Sequence, residues 1–276
     1  MIKNKKPIIM KTSEKYTREL KQQFGYLATW LPSTPLELGD IGVLKKNSFT
    51  KISNLSDFDI EFEVEPDFSK SNIEHSSSGS VSIVAKLSGT VAPSGSSLVQ
   101  ADAGFIVDFS KENAVFFKAL GTTSPSIKNQ IAVGSKIVEF FKAGKWDKSW
   151  VVVTEIVNAE SATILISNSS NGKIELKVSG DVQAAQIDIA DIGLGLKATF
   201  SKDLSTKIIA NDALTPLFKV SKLKTKIFSP PAFEMKSANP VVMTTNGVTS
   251  IDLVTPEFAK ENGDYLYFEE LEPGVE

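Results

Sequence analysis

The sequence predicts an α+β fold, in which a central, twisted and mostly antiparallel β-sheet is flanked by helices. Two observations lead to this prediction. Apolar and polar residues alternate through much of residues 79–206, for example in 81–91, where every second position is apolar or small. Two other segments repeat apolar residues with a helical period. The apolar face of such a sheet needs a partner, which is a helix, a second sheet or lipid.

The first predicted helix covers residues 12–24, which Ser13 is placed to cap and Gly25 to end. The second covers residues 124–143, with Gly144 suited to its C-terminal cap. Both segments have polar or charged residues around one apolar stripe, as amphipathic helices do. The stripes consist of Tyr16, Leu20 and Phe24 in the first helix, and of Ile127, Ile131, Ile137, Val138, Phe140 and Phe141 in the second.

The remaining body of the chain reads as strands and loops. Pro93 and Gly95 lie in a connector between two long strands and predict a mobile loop. Asn171 followed by Gly172 is a hairpin signal. The last strand alternates lysine with apolar residues, as an edge strand does. We predict strands at 41–44, 49–52, 59–64, 81–91, 103–119, 150–166, 174–178, 187–200 and 206–228, and a polar loop at 67–80.

The sequence divides at Pro230-Pro231 into a body of residues 1–231 and a tail of residues 232–276. From Asp252 onwards the chain carries eight acidic residues and one lysine, or −7, which leaves +4 for residues 1–251 out of −3 overall. Such a tail either aids solubility or covers a basic surface until it is removed. It contains a short predicted strand near 248–254 and three aromatic residues, Tyr265, Tyr267 and Phe268, which suggest a tail that docks.

Residues typical of catalysis are scarce, so we expect no enzymatic activity, no cofactor and no metal. Cysteine is absent, and the single histidine, His75, has no orienting acid in a recognisable triad pattern. Apart from Arg18, the cationic residues are lysines, and this composition disfavours base-specific recognition of nucleic acid. A run of spaced carboxylates suits a hydrolase, a divalent-ion site or a solvated strand face: Asp57, Asp59, Glu61, Glu63 and Glu65.

Several strings, taken in order, resemble the pore-forming domain of the gasdermin family. Residues 38–52 (LGDIGVLKKNSFTKI) are similar to its early strand pair, and 79–120 to its first membrane-inserting β block. A helix follows at 127–141, and then 150–157 (WVVVTEIV), the string most similar to the family. Residues 202–220, ending LTPLFKV, resemble the closing strands of that domain. The resemblance implies a gasdermin-like α+β fold over residues 12–230.

The resemblance also implies a mechanism. A C-terminal segment inhibits a monomer in the cytoplasm until an activating protease removes it. The body then binds anionic membrane lipid, forms a homo-oligomer at the cell inner membrane, and inserts 79–120 and 150–206 as hairpins of a transmembrane β-barrel. Cell death, in antiphage defence, would be the outcome. The candidate lipid-binding cations are Lys3, Lys5, Lys6, Lys11, Lys15, Arg18, Lys21, Lys222, Lys224 and Lys226, and the candidate tail contacts are Tyr265, Tyr267 and Phe268.

The chain departs from the family in its closed-state contacts. Bacterial members of this size carry a lipidated N-terminal cysteine, for which Phe24, Tyr26 or Trp30 would have to substitute. Residues 229–247, which are polar and rich in proline, are the most exposed-looking candidate for the cleavage site. The alternative function is a soluble, non-enzymatic binding or assembly module, which would keep both alternating blocks buried in one core.

Overall fold

The computed structural model describes residues 11–178, 196–210, 214–227 and 264–271. Within these residues, antiparallel β-sheet dominates, with two α-helices beside it, and the strands form three sheets in place of the expected single central one. The helices are α1 (Thr12–Phe24) and α2 (Gln130–Lys142), with a 3-10 helix at Leu55–Phe58. The strands are β1 (Leu27–Ala28), β2 (Asp40–Lys45), β3 (Ser48–Asn54), β4 (Val64–Glu65), β5 (Ser71–Ser76), β6 (Val81–Lys86), β7 (Gly104–Phe109), β8 (Val115–Thr122), β9 (Ser126–Ile127), β10 (Trp150–Ala159), β11 (Ser161–Ser167), β12 (Lys173–Val178), β13 (Leu196–Lys202), β14 (Leu204–Ala210), β15 (Leu214–Ile227) and β16 (Asp264–Glu270).

Helix α1 has the predicted bounds and the predicted apolar face. Tyr16 and Leu20 are fully buried. Gly25 ends the helix in the left-handed region at φ 74°, where its N–H donates to the carbonyl of Lys21. The cap predicted for Ser13 is wrong, because Lys11 holds the N-cap position and makes no side-chain cap bond.

Helix α2 is shorter than predicted, because residues 124–129 are not helical. Pro125 disfavours a helical Ser124, and the chain instead forms the short strand β9. The apolar stripe is also narrower than expected, since Ile137 is buried whereas Ile131 is 70% exposed. The helix ends at the C-cap Ala143, and Gly144 follows it at φ 70°.

Four long strands, each interrupted once, form the two four-stranded sheets. The inner four-stranded sheet has the order β14-β11-β8-β5, and the outer four-stranded sheet has the order β13-β12-β7-β6. Each strand of one sheet is therefore the chain continuation of the strand at the same place in the other. The interruptions lie side by side and define what we call the break line, formed by residues 77–80, 110–114 and 168–172 and by Asp203.

The hairpin predicted at Asn171-Gly172 is wrong, since β12 continues away from β11 and the two strands belong to different sheets. The inner sheet is instead built on long-range pairing, with β11 beside β8, and the outer sheet places β12 beside β7 in the same way. An Asn-Gly turn signal is local and does not specify which strand lies beside which. Here the turn redirects one long strand at the break line.

Two faces of the inner sheet are covered by different partners. Tyr16 and Leu20 of α1 pack on one face in a cluster with Phe117 and Ile164. The other face packs on the outer sheet, in a cluster that contains Phe116, Leu165, Phe105, Val107, Ile174 and Leu176. All seven residues of β11 are consequently buried, whereas the edge strands β6 and β13 consist mostly of half-buried and exposed residues. The expectation of one wet face is wrong for the central strands.

The third sheet has eight strands, of which five follow the order β1-β15-β10-β2-β3. Helix α2 covers it through a cluster that contains Val133, Ile137, Val152 and Leu223. Strand β10 runs directly into β11 through the turn residue Glu160 and so connects this sheet to the inner sheet. The closing strands expected at 202–220 correspond to β14 and to the first half of β15.

Two further loop and strand assignments differ from the sequence prediction. The strand expected at 59–64 is absent apart from Val64, because the side chain of Asn54 caps the 3-10 helix and Asp59 ends it at φ 53°. The polar loop expected at 67–80 contains β5, a polar edge strand that pairs with β8. Local sequence underestimates such edge strands, because their serines have low strand propensity. The predicted strand at 248–254 and residues 187–195 of the strand predicted at 187–200 lie outside the described residues, while residues 196–200 belong to β13.

The break line is held by side-chain hydrogen bonds. Ser167 Oγ, fully buried, accepts from the N–H of Ala114 at 2.8 Å and donates to the carbonyl of Lys111 at 2.6 Å. Ser77 Oγ accepts from the N–H of Val115 at 2.9 Å and donates to Glu19 of α1 at 2.6 Å. Helix α1 thus braces the point at which the strands change sheet.

We predict that Ser167→Ala lowers the free energy of unfolding by about 1–3 kcal/mol, because it leaves a buried N–H without an acceptor. Ser205→Ala is the matched control. Its hydroxyl donates to the carbonyl of Ile166 beside the break line but is exposed, so we expect a change below about 0.5 kcal/mol. Urea unfolding measures both, and equal effects would contradict the account of the break line.

Candidate functional site

The tail of the chain returns to the body as strand β16, which adds to the free edge of β15. Ser221 pairs with Val152 of β10 and also with Glu270 of β16, so the two neighbours lie on opposite sides of β15. The pairing runs from Ser221 to Ile227, and beyond it the N–H of Leu271 donates to the carbonyl of Val220 at 2.8 Å. The tail strand therefore satisfies backbone groups that would otherwise form an open edge.

An aromatic side chain anchors the tail strand on α2. Phe268 is partly buried in the cluster of Val133, Ile137 and Leu223. It fits there because the facing position of the helix is Gly134: a Cβ on that glycine would lie 2.6 Å from the Cβ of Phe268. Helix and tail strand approach so closely that only glycine fits without a shift.

An ion-pair network connects the tail to the centre of the eight-stranded sheet. Lys219 Nζ lies 3.0 Å from Glu155 and 3.7 Å from Glu270 of the tail. It also lies 4.8 Å from the ring centroid of Tyr26, whose hydroxyl donates to Glu155. Burial raises the pKa of Tyr26, and the hydrogen bond to Glu155 raises this pKa further. The tyrosine therefore stays a neutral donor at physiological pH.

Magnitudes decide which tail contact matters most. The Lys219–Glu270 pair is partly solvated, and pairs of this kind contribute about 0–1 kcal/mol. Burying a phenylalanine side chain contributes about 1.5–3 kcal/mol when complete, and each backbone hydrogen bond adds about 0.5–1.5 kcal/mol net. The strand pairing and Phe268 thus hold the tail, and the charges orient it.

A lysine-lined cavity of about 260 Å³ lies beside the docked tail. Its wall contains both apolar side chains and lysines, and Leu271 of the tail forms part of it. Lys21 Nζ donates to Asn47 Oδ1 at 3.1 Å at its rim. The apolar part consists of Leu27, Leu44, Val151, Phe218, Val220 and Leu271, and the cations are Lys21, Lys148, Lys219 and Lys222. An anion with an apolar body suits such a lining.

The structure brings together some of the cations predicted from sequence. Lys21 and Lys222 both line the cavity, while Lys11 and Arg18 are exposed on α1. Lys15 pairs with Glu19 at 3.6 Å. Lys224 and Lys226 lie further along β15, opposite Tyr267 and Tyr265 in the strand register. The side chains of Lys226, Tyr265 and Tyr267 lie outside the described residues. Lys3, Lys5 and Lys6 lie outside them entirely.

Sequence reasoning missed Lys148, Lys219 and Gly134. Lys148 lies in the loop before β10, and Lys219 interrupts an apolar strand, so neither belongs to a visible cationic pattern. From the sequence, Gly134 is only a residue of low helix propensity within a predicted helix. The long-range pairing of β15 with β10 and β16 brings Lys148 and Lys219 to one cavity, while Gly134 lies against Phe268 of the same tail strand.

The aromatic residues expected to replace a lipid anchor all pack on the core. The ring of Phe24 lies 5.9 Å from that of Phe117, and Trp30 lies 5.7 Å from Tyr16. Tyr26 contacts the same cluster beside the Lys219 network. Together they fix the segment that follows α1 against the inner sheet.

The residues considered for catalysis make structural contacts in the fold. Glu19 accepts from Ser77 at 2.6 Å and lies 3.3 Å from His75 Nε2, so both neighbours meet the acid and do not form a serine–histidine relay. Hydrogen bonds from Ser53 and from the backbone of Asn54 lower the pKa of Asp57. Among the described residues, no cluster of three or more histidine, cysteine or carboxylate side chains is suited to a metal ion.

Comparison of the chain with models of known protein families gave no match, and a search among curated proteins found none either. Within the described ranges, neither helix has the length and apolarity needed to cross a bilayer.

We predict that Gly134→Ala displaces the tail strand while α2 itself is preserved, because alanine favours the helix but overlaps Phe268. Overpacking of about 1–3 kcal/mol corresponds to roughly a tenfold faster amide hydrogen exchange in β16. Ser135→Ala, at the next and half-buried position of the same helix, removes only a hydroxyl that donates to the carbonyl of Ile131, and is the control. Unchanged exchange of β16 in Gly134→Ala would contradict the close fit.

Proposed function

We propose that this chain is a pore-forming protein of gasdermin type that its own C-terminal tail inhibits. In this proposal the intact chain is a cytoplasmic monomer. An activating protease removes the tail, and the body binds anionic lipid, forms a homo-oligomer at the cell inner membrane and inserts strands 79–120 and 150–206 as part of a β-barrel. Cell death, as in antiphage defence, would follow.

One observation carries the proposal: most of the two candidate membrane blocks lies in four adjacent antiparallel strands that are interrupted at one level. Strand β5 precedes the first block, and β10, at the start of the second block, belongs to the eight-stranded sheet. Straightening the break line would join β11 and β12 into one strand over 161–178. At about 3.3 Å per residue, such a strand exceeds the ~25 Å apolar band of a barrel, even when tilted by ~45°. The pairing needed for insertion would already exist in the soluble form.

The face pattern of β12 supports the same proposal. Ile174, Leu176 and Val178 belong to the core between the two four-stranded sheets, whereas Lys173 and Lys177 lie on the alternate positions. In a barrel, the first set would face lipid and the second would face water. Strand β11 departs from this pattern, because its residues are buried on both faces.

The tail contacts support the inhibitory part of the proposal. The tail covers the edge of β15 and contributes Leu271 to the wall of the lysine-lined cavity. Removing it would open a strand edge and uncover cations next to an apolar surface, and both changes favour association with an anionic membrane. The body without the tail also loses the acidic residues that offset its lysines.

The first functional prediction concerns tail removal. We expect a chain with a specific protease site placed within residues 229–247 to release dye from anionic vesicles only after cleavage. The uncut chain and the wild-type chain treated with the same protease are the controls. Cleavage without release, by a body that remains folded and monomeric, would rule out the pore and leave the soluble binding or assembly module as the better function.

The second functional prediction concerns lipid recognition by α1. Arg18 is exposed on the helix, and a cation near an anionic surface contributes about 1 kcal/mol. We expect Arg18→Glu in the cut protein to weaken binding to anionic vesicles by about tenfold or more. Arg18→Lys, which keeps the charge, should bind as the wild type does. If Arg18→Glu bound equally well in a vesicle sedimentation assay, α1 would not be a lipid-binding helix.

A further inference from the structure

The connector between β6 and β7, residues 87–103, does not project into solvent but folds over the outer four-stranded sheet. It covers the sheet face that carries Glu175 and Ile106, which pair directly across β12 and β7. Leu98 of the connector is 2% exposed, and Glu175 beneath it is 1% exposed. This is the face opposite to the core between the two four-stranded sheets, so the connector covers a carboxylate and an apolar side chain of the outer sheet.

Glu175 holds the connector through one carboxylate oxygen. Its Oε2 accepts from the N–H of Ser97 at 2.6 Å, from Ser97 Oγ at 2.6 Å and from Ser96 Oγ at 3.0 Å. The second oxygen lies 3.2 Å from Lys173 Nζ. Burial raises the pKa of Glu175, but these hydrogen bonds outweigh burial and keep the pKa below its usual value.

A second group of contacts closes the base of the connector. Lys86, 3% exposed, donates to the carbonyls of Asp102 at 2.6 Å and of Gln100 at 3.3 Å. The Asp102 carboxylate accepts from the N–H of Val99 at 2.9 Å and pairs with Lys177 of β12 at 2.5 Å. Glu175 and Lys177 belong to the second long hairpin, so the connector of the first hairpin is fastened to the second.

The composition of the connector differs from that of an ordinary surface loop. Asp102 is the one charged residue in 87–103. Val91 is 87% exposed and Val99 is 61% exposed. An almost uncharged loop with exposed valines is suited to enter an apolar environment such as lipid. The buried carboxylate of Glu175 binds the loop and keeps it on the sheet.

We infer that Glu175 is a positioning residue that clasps the connector 87–103 to the outer sheet, and that opening this clasp is a second step of activation after tail removal. The inference rests on the proposed function. It assigns the two steps to separate places: the tail strand lies on β15 and α2, whereas the clasp lies on β12 and β13. The clasp opens when the two serines leave the carboxylate and the connector moves beyond the ends of β6 and β7.

The test uses a reversible lock. Ser97 Oγ and Thr199 Oγ1 of β13 are 2.9 Å apart, and the chain contains no cysteine, so Ser97→Cys with Thr199→Cys allows a single disulfide across the clasp. After tail cleavage, we expect the oxidised protein to release dye from anionic vesicles at least about tenfold more slowly than the reduced protein. Ser97→Cys alone should be insensitive to oxidation.

Two outcomes separate the inference from the proposed function. Dye release by the reduced, cut protein at the same rate as by the oxidised one would overturn the clasp and leave the pore intact. No release by cut wild-type protein would overturn the pore, and the clasp step with it.

A second measurement needs no membrane. In the uncut chain, we expect Glu175→Gln to speed amide hydrogen exchange at Ser97 by about tenfold, because hydrogen bonds to a charged acceptor are the stronger ones. Exchange in β16 should not change. Ser88→Ala, whose hydroxyl bonds within the connector to the carbonyl of Ala101, is the matched control. Unchanged exchange at Ser97, or equal effects of both variants, would overturn the assignment of Glu175.

Discussion

Strand β15 has partners along both of its edges, and the organisation of the molecule depends on the pairing with the tail strand β16. Without β16, the backbone from Ser221 to Ile227 would present an open edge rich in lysine. An open edge invites pairing with another chain, and lysines next to apolar wall residues invite an anionic surface. We propose that the seven-residue tail strand prevents both, through one set of backbone bonds and one phenylalanine.

The second constraint is the break line, at which four long strands change sheet together. Folding these strands back on themselves lets the inner and outer sheets bury each other's apolar faces, so these faces are covered by protein. Ser167, Ser77 and Glu19 stabilise the bend through hydrogen bonds that an extended strand would not make. The bend and the tail strand lie on separate sheets, and β10 connects them through the chain.

The sequence predicted local structure well where a periodic pattern and a stop signal coincide, as in α1 with Gly25. The prediction from sequence failed where pairing between strands far apart in the chain determines the structure. The Asn171-Gly172 signal did not show that β11 and β12 belong to different sheets, and alternation at 59–64 did not show that Val64 alone of this segment lies in a paired strand. The tail aromatics suggested a docking segment, but neither the place of docking nor the close fit of Gly134 follows from local residues. The clasp at Glu175 is likewise a contact between hairpins far apart in sequence.

We propose that the docked tail strand keeps the protein inactive and that its removal is the first step toward a membrane-active form. The most direct test records the current across a planar anionic bilayer while a specific protease cuts the intact chain within residues 229–247. The account predicts no current before cleavage and stepwise, lasting conductance increases as the tail is removed. A flat current after complete removal of the tail, with the body still folded, would contradict it.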